Sequence, residues 1–385
     1  MSVSNTSEND RPGSSPAAFR RKETWGEWLD QRSSTIFIAP AVILILVFAI
    51  FPTIASLVIA VSRVRLSGDG FSFRFVWFRN FAKQFVGNDQ IHFLGRFNEM
   101  SLIGWVLSLA AIGWAILWLY RYTRRDFNVI GFVGRLITAL LIVGICLMLA
   151  GTALSGNPWG TLGTTLFYVF VGCGVQFVIG LGLAFLCSQQ IRGKNFFRVV
   201  FFVPLMITPL GVGYAFRMIA DVTKGPFAPV WEWVGLGQFA WSADPWAARV
   251  FVIVGDSWQW IPFIFIVMLA ALENVPRDHV EAAQVDGASS WQIFREITWP
   301  QIIPVAATVI LIRAIEAFKI VDLPNIMTSG GPGIATESMT LHAVFAWRSN
   351  DFGQSAAVAY LLLFVTVVIC SSFFNLVVLR HLKKG

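Results

Sequence analysis

Long apolar runs, each about as long as a bilayer is thick, constrain this chain more than any other feature. A helix needs roughly 20 apolar residues to cross the hydrocarbon core. Runs of that length occupy 35–62, 101–120, 134–154, 162–187, 199–220, 249–271, 302–322 and 356–379. Only 13% of residues are charged, about half the fraction of a typical soluble domain. The sequence therefore predicts an all-α fold, a polytopic transmembrane helix bundle of about eight spans.

Basic residues give the orientation of this bundle. Lysine and arginine collect in cytoplasmic loops, and both ends of the chain are basic, with Arg20, Arg21 and Lys22 at one end and Lys383 and Lys384 at the other. An even number of spans also places both termini on one side, so we expect both in the cytoplasm. The segment 63–100 fits this orientation least, because it is basic although it is predicted to be extracytoplasmic.

Several function classes find no support in the sequence. The net charge of +7 comes without the basic stripe and interleaved aromatics that nucleic-acid binding requires. No Gly-x-x-x-x-Gly-Lys-Ser/Thr motif occurs, so this chain is not expected to hydrolyse ATP. The cysteines and histidines show neither Cys-x-x-Cys nor His-Glu-x-x-His spacing, and no metal site is predicted from them. They are Cys146, Cys173, Cys187, Cys370, His92, His279, His342 and His381.

The residue composition of the chain changes along its length. Residues 1–33 are rich in Ser, Asn, Pro and charge, which predicts a disordered cytoplasmic tail. Residues 34–160 are interpreted as extra N-terminal spans with an extracytoplasmic segment. Residues 161–380 hold more proline, glycine and intramembrane charge, and are interpreted as the working core. Residues 381–385 form the cytoplasmic end.

A polar loop at 276–300 interrupts the apolar runs, and "EAAQVDGASSWQIFREITWP" fills 281–300. Asp278 is expected to cap a helix over 279–285, which Gly287 ends. Ser289 and Gln292 then match a capping box. The loop is predicted to be a helix–glycine–helix element. Its apolar face of Trp291, Phe294 and Ile297 fits either the membrane interface or a docked partner.

The residues of this loop resemble a known family pattern. Glu281-Ala282-Ala283, Asp286-Gly287-Ala288, Phe294, Ile297, Pro300 and Pro304 are similar to the EAA loop of ABC importer permeases. "RGKNFFRVVFFVPLMITP" (192–209), "WQWIPFIFIVMLAALENVP" (258–276) and "TSGGPGIATES" (328–338) resemble segments of the carbohydrate-uptake, maltose-type group. The resemblance covers roughly 161–380. The seventh span of this sequence lacks the asparagine-rich part that contacts maltose in that group. Maltose itself is therefore not predicted as the solute.

This resemblance implies partners and a coupling role. In the family, the loop docks into a cleft on a dimer of cytoplasmic ABC ATPase subunits, which hold ATP and Mg while the permease binds no cofactor. A second homologous permease and a periplasmic or extracellular solute-binding protein complete the complex in the bacterial cell (inner) membrane. The coupling residues implied here are Glu281, Ala282, Ala283, Asp286, Gly287, Ala288 and Phe294.

Polar residues inside the later spans are candidates for the solute path, because intramembrane charges often mark pathways. The candidates are Gln176, Asp256, Trp258, Gln259, Trp260, Glu316 and Lys319. Aromatic rings beside carboxylates or amides suit sugars. A structural role is favoured for Arg313 and Asp322, which share a spacing of three with Glu316 and Lys319. For Arg313 that role is ion pairing between spans, and Asp322 is expected to lie near the outer surface.

The sequence thus predicts a non-enzymatic permease subunit of an ATP-driven importer for a sugar or oligosaccharide. Two alternatives stay open at this point. One is an importer permease for a polyol or a solute like glycerol phosphate. The other belongs to a different class, a polytopic membrane enzyme or channel, which would need a cluster of His, Asp or Cys at one membrane depth.

Overall fold

A computed structural model describes residues 37–67, 70–97, 99–124, 128–155, 158–189 and 193–378. The predicted tail 1–33 and end 381–385 lie outside these residues. The chain divides into two units, Met1–Ala55 and Ser56–Gly385. In the first unit, the described residues 37–55 are helical throughout.

Helices dominate the described residues. In chain order they are α1 Phe37–Ala60, α2 Arg79–Phe85, α3 Asn88–Phe93, α4 Leu102–Thr123, α5 Val129–Gly151, α6 Thr161–Ser188, α7 Lys194–Phe202, α8 Pro209–Ala220, α9 Ala228–Trp233, α10 Pro245–Glu273, α11 Arg277–Val285, α12 Ser290–Phe318, α13 Asp322–Thr328, α14 Met339–Arg348 and α15 Phe352–Phe373. Short 3₁₀ turns cover Ala153–Ser155 and Val203–Met206, and a π-helical turn at Phe374–Val378 extends α15. Strands β1 Ser62–Ser67 and β2 Gly70–Phe75 form one antiparallel hairpin.

The predicted bundle is confirmed. Seven of the described helices are long and apolar enough to cross a membrane, and one bent pair raises the number to eight. The hairpin is the one sheet within the described residues, and it begins at Ser62, just before the segment 63–100. It pairs Ser62 with Phe75 and Ser67 with Gly70. An isolated bridge also pairs Gly95 with Trp159.

The fifth predicted span, 199–220, is wrong as a continuous helix. It consists of Phe196–Met206 and Pro209–Ala220, bent by 100°. Thr208 has an extended backbone (ψ 146°) and accepts a hydrogen bond from the Gly211 N–H. A residue before proline is pushed out of the α region, so Pro209 begins a new helix instead of extending the old one.

The seventh predicted span, 302–322, is wrong at both ends. Helix α12 begins at Ser290, so the second helix of the polar loop is continuous with the span. A π-helical turn at Phe294–Thr298 precedes Pro300, and this wider turn relieves the clash that a proline ring makes with the carbonyl four residues earlier. At the other end Lys319 follows the last helical residue, and Asp322 begins α13.

The segment 323–355 is mostly helical. Helices α13 and α14 are joined by a turn in which Ser329, Gly330 and Gly333 have positive φ angles of 53°, 84° and 59°. Helix α13 packs against α8, and α14 packs against α15.

Helices α6 and α10 form the most extensive helix–helix contact among the described residues. Gly180 of α6 lies against α10, where an added Cβ would come within 2.8 Å of Ile264 Cγ2 and 3.3 Å of the Ile261 carbonyl oxygen. Small residues let transmembrane helices approach this closely. Ile264, Phe265 and Met268 of α10 are fully buried there, together with Ala184 of α6 and Ile302 of α12.

We therefore predict that Gly180→Ala destabilises the bundle, because the new methyl overpacks the contact between α6 and α10. The expected loss is about 1–3 kcal/mol, measured as the free energy of unfolding of the purified subunit in a denaturing-detergent titration. Gly182→Ala in the same helix is the matched control, because its Cβ would meet nothing within 4 Å. Equal stabilities of the two variants would contradict the prediction.

Candidate functional site

Three spans meet at a buried polar cluster formed by Gln176 of α6, Asp256 of α10 and Arg313 of α12. The Arg313 guanidinium donates through Nε to Gln176 Oε1 at 2.6 Å and through Nη2 to Asp256 Oδ2 in a short ion pair. The Gln176 amide donates to the same Asp256 oxygen at 2.8 Å. The interspan ion pairing favoured for Arg313 is thus confirmed, and we call these three residues the interspan cluster.

The interspan cluster is almost closed to solvent. Arg313 is 1% exposed, Asp256 5% and Gln176 0%. Ser257 adds a hydroxyl 3.3 Å from the Gln176 amide, and the Trp260 ring lies 4.7 Å below the Arg313 guanidinium carbon. A buried charge pair is tolerated when hydrogen bonds satisfy its remaining polar atoms. The interspan cluster therefore joins α6, α10 and α12 at one level of the bundle.

The other candidates in α10 divide by exposure. Gln259 is buried and donates to the Ile207 carbonyl at 2.8 Å, which ties α10 to the break in the bent span. Its Oε1 is buried without a hydrogen-bond partner. Trp258 is 39% exposed, and its ring packs against Phe216 at 5.6 Å between centroids. Trp258 therefore faces out of the chain, while Gln259 faces inward.

Glu316 and Lys319 also face outward. They form an ion pair of 2.7 Å at a spacing of three residues, with side chains 37% and 58% exposed. Such a pair contributes little to stability, about 0–1 kcal/mol. Within the predicted path set, Trp258, Glu316 and Lys319 are thus available to a ligand, whereas the polar atoms of Gln176 and Asp256 are engaged with Arg313. A path role for each of these residues stays a prediction.

The loop between α10 and α12 has the predicted helix–glycine–helix form. Gly287 adopts φ 81° after α11, and the Ala288 N–H bonds the Ala283 carbonyl at 2.9 Å, as in a Schellman cap. The capping box of Ser289 and Gln292 is present. Asp278 as N-cap is wrong, because Pro276 holds that position and Asp278 lies in the first turn, where its charge suits the helix dipole.

Most coupling candidates lie at the surface of this loop. Glu281, Ala282, Asp286 and Gly287 are exposed, and Ala283 and Ala288 are half-buried. Ala282, Ala283 and Asp286 line a shallow groove between α11 and the first turns of α12, with His279, Glu296, Ile297, Pro300 and Gln301. The groove gives the loop a concave surface facing away from the bundle core.

The predicted apolar face of the loop is divided. Trp291 is 67% exposed, whereas the half-buried Phe294 packs against Phe185 and Trp299 at 5.8 and 6.0 Å between ring centroids. Val285, at the end of α11, is 88% exposed. Phe294 thus connects the loop to α6, and Trp291 and Val285 remain open to a partner.

Sequence reasoning missed two contributors to these sites. Ser257 could have been found from its place beside the candidate Asp256 in an apolar span. Arg198 forms a short ion pair with Glu273 at the end of α10. Arg198 was harder to find from the sequence. It lies in a basic loop, and basic residues are expected in any cytoplasmic loop, with or without an ion-pair partner.

We predict that Arg313→Met weakens the bundle strongly, because it leaves Asp256 buried and unpaired. The loss should be about 3–5 kcal/mol in the same detergent titration, against less than about 1 kcal/mol for Lys319→Met in the exposed pair. Adding Asp256→Asn to Arg313→Met should restore part of the loss, since a neutral amide still accepts from Gln176. A double variant no more stable than Arg313→Met would refute this explanation.

Comparisons with known proteins agree with this geometry. Residues 176–384 match the family described as binding-protein-dependent transport system inner membrane component. The trehalose/maltose transport system permease protein MalF of Thermococcus litoralis is 28% identical over 59% of this chain and 74% of its own length. The probable starch degradation products transport system permease protein AmyD of Thermoanaerobacterium thermosulfurigenes is 30% identical over 49% of this chain and 65% of its own length.

A solved structure has the same fold. It is a bacterial ABC transporter involved in the import of the acidic polysaccharide alginate, and it aligns with a TM-score of 0.60 at 16% identity over 91% of this chain and 97% of its own. The family match covers more than half of the chain, including Gln176, Asp256, Arg313 and the whole polar loop. The chain therefore belongs to the binding-protein-dependent transport system inner membrane components, the permease subunits of ABC importers.

Proposed function

We propose that this chain forms half of the translocation path of an ATP-driven carbohydrate importer, with a second homologous permease as the other half. The observation that carries the proposal is the helix–glycine–helix loop. It exposes Glu281, Val285 and Trp291 and continues without a break into α12. A permease that is moved by a partner beside the membrane requires an exposed docking element that is continuous with a span.

The loop is placed to act on two spans at once. Helix α11 lies between the end of α10 at Glu273 and the start of α12 at Ser290. These two spans are joined again at depth by Asp256 and Arg313. A force on α11 therefore reaches both spans, and the interspan cluster holds both spans against α6 at that point.

We propose partners of the kinds that the family resemblance implies. A dimer of cytoplasmic ABC ATPase subunits, which hold ATP and Mg²⁺, docks on the loop, and ATP hydrolysis takes place there. The loop and both chain termini then lie in the cytoplasm, and a solute-binding protein delivers its cargo to the opposite face. In this proposal the nucleotide and its Mg²⁺ are bound by the ATPase subunits and not by this chain. Residues 161–380 form the permease core, and the spans before residue 161 are additions to it.

The carbohydrate assignment is supported by two relatives, one named for the transport of trehalose and maltose and one for the transport of starch degradation products. Trp258 and Glu316 are outward-facing side chains in the spans, and Lys319, just after the end of α12, also faces outward. An indole face and a carboxylate suit a sugar, whose rings have apolar faces and hydroxyl edges. These three residues are our candidates for direct contact with the solute.

Solute-stimulated ATPase activity of the assembled complex tests the proposal. The complex with its binding protein, reconstituted in liposomes, is presented with oligosaccharides, monosaccharides, polyols and glycerol phosphate. We expect stimulation by one carbohydrate class. Stimulation by glycerol phosphate alone would replace the substrate assignment, and a chain that recruits no ATPase subunit would remove the importer assignment.

Gly287→Pro is predicted to abolish solute stimulation while the subunit still inserts and folds. Proline fixes φ near −65°, whereas Gly287 has φ 81° and its N–H bonds the Gln284 carbonyl at 3.1 Å. Gly235→Pro is the matched control, since Gly235 has φ 82° and its N–H bonds the Glu232 carbonyl at 2.9 Å at the end of α9. The control should retain stimulation. Loss of stimulation in both variants would mean that backbone strain, rather than docking, explains the effect.

A further inference from the structure

Two histidines, His92 and His342, contact the buried carboxylate of Glu337. This cluster lies near the C-terminal end of α12, the end far from Gly287. His92 lies in α3, Glu337 in the turn before α14, and His342 in α14. His92 Nε2 and His342 Nδ1 each lie 2.9 Å from Glu337 Oε1, and the two rings are 4.3 Å apart. Their ligand atoms all lie within 4.8 Å of one another. The histidine spacing along the chain gave no sign of this grouping.

The cluster is buried on one side and open on the other. The side chains of Glu337 and His342 are 4% and 6% exposed, and that of His92 is 36% exposed. Burial raises the pKa of the Glu337 carboxyl, but the hydrogen bonds to His342 and His92 outweigh it and leave the pKa below its usual range.

We propose that His92, Glu337 and His342 form a binding site for a divalent transition-metal ion of the Zn²⁺ class. Two imidazoles and one carboxylate form a donor set found at zinc centres that keep a fourth position open. Ligand bonds of about 2.0–2.1 Å in a tetrahedron place the donor atoms roughly 3.3 Å apart. Each 2.9 Å contact thus opens by only about 0.4 Å, and water reaches the fourth position past the exposed edge of His92.

One ring nitrogen of His342 lacks a hydrogen-bond partner. His342 Nε2 is buried and has no hydrogen-bond partner, although buried polar atoms are nearly always paired, and exceptions often mark an unseen ion or water. Hydrogen bonds within the cluster therefore do not complete it. A metal-ligating histidine usually donates its other ring N–H to an outer partner, and Nε2 is the atom left for that role when Nδ1 of His342 ligates the ion.

A metal here would join parts of the chain that are far apart in sequence. Helix α3 precedes the spans α4 and α5, and Phe93 beside His92 belongs to the same apolar cluster as Met339 of α14. The turn that carries Glu337 also positions Ala335, whose carbonyl accepts from the buried Arg249 at 2.7 Å. Metal binding would fix this surface, which lies at the opposite end of α12 from the loop.

The test is metal binding by the purified full-length subunit. After stripping with a chelator, the protein is titrated with Zn²⁺ while bound metal is counted by mass spectrometry and the unfolding temperature is followed. We expect one Zn²⁺ per chain and a rise in unfolding temperature that the chelator reverses. His92→Ala and Glu337→Gln should each weaken binding by about 10- to 100-fold or more, since loss of an outer-shell partner alone costs that much.

His279→Ala is the matched control, because this histidine is exposed on α11, outside the cluster. It should bind Zn²⁺ as the unchanged protein does. His92 is partly exposed, so His92→Ala is expected to fold even if Glu337→Gln does not. No Zn²⁺ uptake above background, or equal uptake in His92→Ala and the unchanged protein, would overturn the proposal and leave the cluster as a hydrogen-bonded clamp.

Discussion

One desolvated ion pair, between Arg313 and Asp256, determines how the core spans are arranged. A charge in the hydrocarbon region is tolerated only when it is paired and hydrogen-bonded, so α10 and α12 must meet at one depth and in one rotation. Gln176 extends the requirement to α6, because its amide bonds both partners. Apolar contacts between lipid-facing helices are far less selective, since lipid tails are as apolar as leucine. The interspan cluster therefore supplies the register that the apolar residues alone do not.

The predictable part of this fold is the part fixed by local rules. Apolar run length gave the number of spans, and the glycine and capping box of the loop gave its form, because each depends on residues close in sequence. The bend before Pro209 was missed, although the residue preceding a proline is a recognised boundary. The end of α12 was misplaced because charges at a spacing of three continue past Phe318, where the helix has already stopped.

The candidate sites show the same division. Gln176, Asp256 and Arg313 stood out singly as polar residues in apolar spans, yet their pairing depends on helix rotation, which periodicity in these nearly uniform spans does not reveal. His92 and Glu337 are 245 residues apart, so only the folded chain brings them together. Exposure separated Trp258, Glu316 and Lys319 from the buried candidates. Sequence identified the chemistry of these residues, and the folded chain identified which of them can meet a ligand.

The unbroken course of α12 has a mechanical consequence. Its 29 residues correspond to a rod about 43 Å long, longer than the roughly 30 Å hydrocarbon core. Arg313 stands about 34 Å along it from Ser290. If the rod pivots at the interspan cluster, a tilt of about 10° sweeps its free end through roughly 6 Å, because displacement grows with distance from the pivot. A modest rotation among the buried charges thus corresponds to a movement of several ångströms at the membrane surface.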